Sequence, residues 1–232
     1  MIVSTLLYFF QNRQLLFFFK MPSKQRKIAM MGYRSVGKSS LIIQFVEGQF
    51  VDSYDPTIEN TFTKFIRLNS TEYEVKLVDT AGQDEYSIFP LQYSMDFHGY
   101  VLVYSINSSK SFQIVQIIYD KLLDMVGKIH VPIVLVGNKT DLHLERKIST
   151  EEGKRLAEKW KAAFVETSAK RNESVTDMFH AILQEIERSD GHIPDKNGCL
   201  IFEFLKYISY SGIIAHSWYG DNIILPQTYL LI

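Results

Sequence analysis

The chain has 232 residues, enough for one large domain or for one domain with tails. Its 46% apolar and 22% charged composition is ordinary for a soluble globular protein, and a net charge of −1 sets up no global field toward nucleic acid or acidic lipid. One cysteine, Cys199, excludes an internal disulfide and fits a reducing compartment; no cysteine pair or histidine cluster has zinc spacing, so a metal held here is oxygen-bound.

Residues 1–20 differ from the rest. Two apolar blocks, Met1–Phe10 and Leu15–Phe19, are separated by Gln11-Asn12-Arg13-Gln14. A secretory signal needs a basic start and a small-residue cleavage site, and neither is present. Each block is shorter than the roughly 18 apolar residues of a membrane span. Two readings are left: an interfacial anchor, or an extension ahead of a native start at Met21-Pro22-Ser23-Lys24. The second is preferred.

From Lys27 onward the pattern is regular. Ile28–Met31 reads as a buried strand and residues 37–47 as a helix. Gln49–Asn60 is a polar loop. Phe62–Leu68 and Tyr73–Val78 form a hairpin around Asn69-Ser70, with Tyr73, Val75 and Leu77 alternating against Glu74 and Lys76. Asp79–Met95 is a second polar loop. Tyr100–Tyr104, Ile133–Val136 and Ala163–Val165 are continuous apolar strands, separated by helices over about 111–126 and 150–161 and followed by one over 174–188. Ser149 and Glu152 form a capping box. Strands apolar on both faces and alternating with helices predict an α/β fold: a mostly parallel sheet covered on both sides, with ligands at the carboxyl ends of the strands.

Gly32-Tyr33-Arg34-Ser35-Val36-Gly37-Lys38-Ser39 has the spacing G-x-x-x-x-G-K-S between a strand and a helix. Glycines let the backbone curl so that N–H groups point at phosphate, and the helix start adds its positive dipole end. Lys38 reaches the β- and γ-phosphates and the Ser39 hydroxyl binds Mg²⁺. Asp79, in Asp79-Thr80-Ala81-Gly82-Gln83, orients Mg²⁺ through water; Gly82 brings an N–H to the γ-phosphate; Gln83 is placed to orient an attacking water, or is a solvated loop glutamine. Thr57 completes the Mg²⁺ shell.

Asn138-Lys139-Thr140-Asp141 selects the base. The Asp141 carboxylate accepts from guanine N1–H and N2–H₂, whereas adenine leaves it unpaired, a discrimination of ~10⁴–10⁵. Lys139 lies along the base plane, the Ala169 N–H of Ser168-Ala169-Lys170 faces guanine O6, and Phe50 packs edge-on to the base.

With these residues, and with Phe45–Phe62 and Leu77–Pro90 around them, the chain resembles the Ras superfamily of small GTPases, most of all its Rheb branch, over about residues 24–190. The resemblance implies the six-stranded Ras-like P-loop fold and a GTP/GDP switch with Mg²⁺ and two mobile loops, 51–62 and 82–95. It implies a nucleotide set of Arg34, Ser35, Val36, Gly37, Lys38, Ser39, Ser40, Phe50, Val51, Asp52, Tyr54, Thr57, Gly82, Asn138, Lys139, Asp141, Ser168, Ala169 and Lys170. The metal set is Ser39, Thr57 and Asp79, and the catalytic residues are Gln83 and Lys38. It also implies slow intrinsic hydrolysis, an effector surface over 54–62 for the TOR kinase complex, and a GAP in the tuberous sclerosis complex. Arg34 stands where Ras has glycine and would crowd an incoming arginine finger; it also fits as a solvated loop arginine.

Three other readings stay open: a nucleotide-binding module with negligible hydrolysis, an ATP-using P-loop enzyme, and a Ras- or Rap-like switch with other effectors. The expected organisation is an N-terminal extension over 1–20, a GTPase domain over 21–190 and an atypical apolar, aromatic tail over 191–232. The family carries a prenyl anchor on a C-terminal C-a-a-X cysteine. This sequence ends Gln227-Thr228-Tyr229-Leu230-Leu231-Ile232, so membrane attachment is doubtful; a cytoplasmic location and a monomer are also expected.

Overall fold

The computed structural model describes residues 23–51, 57–68, 71–87, 96–127 and 131–191. The expectations for 1–20, for Asp52 and Tyr54, for the Asn69-Ser70 turn and for the tail beyond Gly191 lie outside them.

Among the described residues there are six strands and four α-helices. They are β1 (Lys24–Gly32), α1 (Lys38–Glu47), β2 (Glu59–Leu68), β3 (Thr71–Thr80), β4 (Gly99–Ser105), α2 (Ser109–Val126), β5 (Ile133–Asn138), α3 (Thr150–Trp160), β6 (Ala163–Glu166) and α4 (Val175–Ser189). A short 3₁₀ helix spans Thr140–Glu145. The strands form one sheet in the order β2-β3-β1-β4-β5-β6. Only β2 and β3 pair antiparallel, joined as a hairpin; the other four pairings are parallel. The chain therefore runs outward from β1 in both directions, and the loop after β1 lies at the point where the order reverses, where α/β sheets bind ligands.

Alternating side chains divide the core into two layers. Ile28 and Met30 pack with α1 and α4, while Ala29 and Met31 pack with α2 and α3. The same split holds for Val101 and Val103 against Tyr100, Leu102 and Tyr104. Phe45 of α1 stacks on Phe179 of α4 at 4.1 Å between ring centroids, which fixes α1 beside α4. The capping box of α3 is formed: Glu152 N–H donates to Ser149 Oγ at 3.2 Å and Ser149 N–H to Glu152 Oε2 at 2.8 Å.

β1 starts earlier than its apolar run. Lys24–Lys27 continue the parallel pairing to β3, Lys24 opposite Tyr73. Their polar side chains are met by partners. Gln25 Nε2 donates to Glu74 Oε2 at 2.9 Å, and His98 Nδ1 accepts from the Lys27 N–H at 2.9 Å. Glu187 of α4, buried at its side chain, accepts from Lys24 Nζ at 3.0 Å and from Arg26 NH2 at 2.5 Å. Burial alone raises the Glu187 pKa, but the Arg26 and Lys24 bonds outweigh it and hold the carboxyl below its usual range. A depressed carboxyl adds stability at neutral pH that is lost as pH falls through the folded-state pKa. Glu187→Gln is therefore expected to destabilise the Mg²⁺·GDP-loaded protein by roughly 2–4 kcal/mol at pH 7, less than for a sealed pair because Lys24 reaches solvent. In urea unfolding, the gap to wild type should close at acid pH; a gap that stays constant would refute this role.

Candidate nucleotide-binding site

The loop between β1 and α1 owes its shape to positive φ angles. Ser35 has φ 59° and Gly37 φ 96°. Left-handed residues among right-handed ones turn successive N–H groups to one side, a nest for anions. Gly37 is required twice, since a Cβ there would also come within 2.3 Å of Asn138 Nδ2. α1 begins at Lys38 with no side-chain cap, so its first N–H groups remain for a ligand at the dipole's positive end. Gly82 lies against this loop: a Cβ on it would meet Arg34 Cα at 2.6 Å. The residue after Ala81 must therefore be glycine if its N–H is to reach the same space.

A cleft of about 410 Å³ opens over the loop, a size suited to a small-molecule ligand. Arg34, Ser35, Gly37, Lys38, Ser39, Ser40, Phe50, Val51, Thr57, Gly82, Asn138, Lys139, Asp141, Ala169 and Lys170 line it. The structure thus brings together most of the nucleotide set expected from sequence. Thr80 and Leu142 also line it and were not foreseen. Val36 and Ser168 sit behind the wall. The Val36 side chain is buried and its carbonyl accepts from Asn138 Nδ2 at 2.8 Å; Ser168 Oγ donates to Asp141 Oδ1 at 2.6 Å.

Lys38 is buried. Its Nζ donates to the carbonyls of Gly32 at 2.9 Å and Tyr33 at 3.1 Å. Burial lowers its pKa to about 8, against the opposing pull of Asp79. Two neutral carbonyls do not compensate a desolvated ammonium, so an anion in the cleft would. Asp79 poses the complementary problem. Its carboxylate is buried, Oδ1 has no hydrogen-bond partner among the described residues, and burial raises its pKa against the Ser39 hydroxyl, the Lys38 charge and the Thr57 hydroxyl. Ser39 Oγ and Thr57 Oγ1 lie 3.0 Å apart beside it. A carboxylate and two hydroxyls form a hard oxygen set with few protein donors, which suits Mg²⁺ sharing its shell with water and phosphate.

At the far end of the cleft, Asn138 acts as a joint. Its Nδ2 holds the glycine loop through Val36, and its Oδ1 accepts from Thr167 Oγ1 at 3.1 Å and from the Ala169 N–H at 3.3 Å. Lys139, with φ 69°, turns the chain so that Asp141 faces the cleft, and burial lowers the Lys139 pKa.

Residues 27–188 match the Ras family. The chain belongs to the Ras family. It is 73% identical over 181 residues to the GTP-binding protein Rheb homolog of Drosophila melanogaster, covering 78% of this chain and all of that protein. It is 68% identical over 169 residues to GTP-binding protein Rheb of Homo sapiens, covering 73% of this chain and 92% of the relative. GTP-binding protein rhb1 of Schizosaccharomyces pombe is 53% identical over 182 residues, covering 78% and 98%. The chain is a small GTPase of the Rheb type: it binds GTP and GDP with Mg²⁺ and hydrolyses GTP to GDP and phosphate.

Gln83 lies elsewhere than an orienting glutamine would. The Gln83 side chain does not line the cleft. It is buried, its Oε1 accepts from the Gly32 N–H at 2.7 Å, and its Nε2 donates to Thr80 Oγ1 at 2.8 Å. Its main-chain N–H donates to the Gly32 carbonyl at 3.1 Å. Both ends of the amide are spent on the protein, so in this conformation it is not placed to orient water. Arg34 is exposed and leans on Tyr33, Nε donating to the Tyr33 hydroxyl at 3.2 Å. Among the described residues no helix is long and apolar enough to cross a membrane.

Proposed function

We propose that the cleft residues divide the work of a slow GTP-hydrolysing switch, and that the carrying observation is a buried Lys38 and a buried Asp79 that feel each other's charge, with the Ser39 and Thr57 hydroxyls beside Asp79. The N–H groups of the loop from Arg34 to Ser40 hold the phosphates. Lys38 binds the β- and γ-phosphates and stabilises the charge that builds on the leaving oxygen as water attacks in line. Ser39, Thr57 and Asp79 hold the metal; the chemistry that bound Mg²⁺ supplies is neutralisation of phosphate charge. Asp141, oriented by Ser168, reads guanine, with Lys139, Ala169, Lys170 and Phe50 around the base. Thr57 and Gly82 contact the γ-phosphate, and loss of that group frees both segments.

Gln83 is the catalytic candidate with its side chain turned inward. Its engagement with Gly32 and Thr80 favours a slow intrinsic rate. Gln83→Leu should change single-turnover GTP hydrolysis less than about 3-fold, whereas a glutamine that positions the attacking water is worth ~10²-fold or more. A loss of the larger size would show that the side chain enters the cleft during turnover.

The GTPase domain is assigned to residues 21–190, acting as a cytoplasmic monomer. Its output is assigned to the TOR kinase complex and its inactivation to the GAP of the tuberous sclerosis complex, through an effector surface over 54–62. The support within the described residues is the strongly exposed Ile58, 89% accessible, followed by exposed Glu59, Asn60 and Thr61. The test is TOR-complex kinase activity with the chain loaded with GTP, GDP or a non-hydrolysable GTP analogue. Activation by the GTP forms alone supports the assignment, and equal activity in all three forms removes it.

A further inference from the structure

The turn after Gln83 is tied to α2 by lysines that neither the nucleotide site nor the core requires. Asp84 closes the turn: its Oδ1 accepts from the Tyr86 N–H at 3.0 Å and from Ser87 Oγ at 2.9 Å, and Ser87 Oγ accepts from the Asp84 N–H at 2.9 Å. Lys121 of α2 donates through Nζ to two main-chain carbonyls of this turn, Glu85 at 2.8 Å and Ser87 at 3.0 Å. Lys110, about three helical turns earlier and so on the same face, pairs with the Glu85 carboxylate at 3.0 Å. The two ties are unequal. The Lys110 pair is solvent-exposed and contributes little. Lys121 is partly buried and binds main chain rather than a mobile carboxylate, so it fixes where the backbone runs.

Gln83 sits directly between two anchors. On one side its own N–H is bonded to Gly32, and on the other the Asp84–Ser87 turn is held on α2. With the main chain fixed on both sides, the amide falls on Gly32 and Thr80 instead of the cleft.

We propose that Lys121 is a positioning residue for GTP hydrolysis, which by holding the Glu85 and Ser87 carbonyls keeps Gln83 turned away from the γ-phosphate and sets the slow intrinsic rate. This rests on the GTPase reading of the cleft and adds to it a control point outside the cleft.

The experiment compares wild type, Lys121→Ala and Lys121→Arg, each alone and with Gln83→Leu, in single-turnover hydrolysis of GTP with Mg²⁺. Lys121→Ala should raise the rate about 5-fold, the factor that corresponds to one net hydrogen bond. The rise should vanish with Gln83→Leu, and Lys121→Arg, which keeps the donors, should return toward wild type. The rate of GTP dissociation should not move, because Lys121 does not touch the cleft. No rise, or an equal rise with Gln83→Leu, overturns the proposal. A second measurement needs no turnover: amide exchange at Gly32, whose N–H is held by Gln83 Oε1, should quicken in Lys121→Ala. Unchanged exchange at Gly32 overturns the proposal as well. A wild-type chain that binds GTP without hydrolysing it would sink the GTPase reading alone, and the Gly32 amide would still decide the role of Lys121.

Discussion

Asp141→Asn is expected to lower GTP affinity by about 10³-fold or more and to create affinity for xanthosine triphosphate. The Asp141 carboxylate is oriented before any base arrives: Ser168 Oγ holds Oδ1 at 2.6 Å, and the Arg171 N–H donates to that same Ser168 oxygen at 3.1 Å. A fixed carboxylate offers acceptors only, which matches the two donors of guanine N1–H and N2–H₂. Asparagine offers one acceptor and one donor. Its NH₂ would face a guanine donor, leaving two buried donors in conflict and a charge-assisted bond lost, and both costs fall on the bound state. Xanthine carries a carbonyl where guanine carries its amino group, so the same NH₂ finds an acceptor. Sites built around hydrogen bonds reject a mismatched partner by ~10⁴–10⁵, so the estimate for affinity is a conservative one. Competition of GTP, xanthosine triphosphate and ATP for the loaded protein measures it. Equal affinities of wild type and variant for GTP would remove Asp141 from base recognition.

The parts of this site that could be read in the sequence share one property: their geometry is local. The glycine loop and Asp141 each follow an apolar strand within a few residues, and strand ends in a parallel sheet converge on one edge. What could not be read depends on distant partners. Gln83 follows a glycine in a loop and could turn either way. Its direction is decided by Gly32 and by Thr80, the first 51 residues away along the chain. Thr80, inside Asp79-Thr80-Ala81-Gly82-Gln83, and Leu142, directly after Asp141, line the cleft without having been given a role in those motifs. Val36 and Ser168 lie inside motifs, yet they act through Asn138 and Asp141 rather than at the surface of the cleft. In the fold the same rule applies. The polar residues Lys24–Lys27 gave no strand signal, because the partners that let them extend β1 are Glu74 of β3, His98 just before β4 and Glu187 of α4. Lys121 is the extreme case: it reads as a solvated helix lysine until Glu85 and Ser87 are seen against it.

Lys38→Met should separate the two demands placed on that lysine. In wild type the ammonium is buried on the carbonyls of Gly32 and Tyr33, and burial drives its pKa down to about 8. A lowered lysine pKa means that the folded protein, without an anion, holds the charge at a cost. Methionine keeps the length and apolar stem of the side chain while removing the charge, so the nucleotide-free protein should unfold at the same or a higher urea concentration than wild type. Nucleotide binding should respond in the opposite sense. Charge-assisted bonds to the β- and γ-phosphates are lost with nothing to replace them, and affinity for Mg²⁺·GTP should fall by roughly 10²–10³-fold. Hydrolysis should fall further than binding, since charge on the leaving oxygen grows in the transition state and the missing ammonium then costs more than in the ground state. The two readouts together make the prediction specific. A variant that loses nucleotide affinity and also loses stability without nucleotide would mark Lys38 as a packing residue of the loop. One that loses affinity while holding or gaining stability shows a charge kept in an unfavourable place for the phosphate it binds.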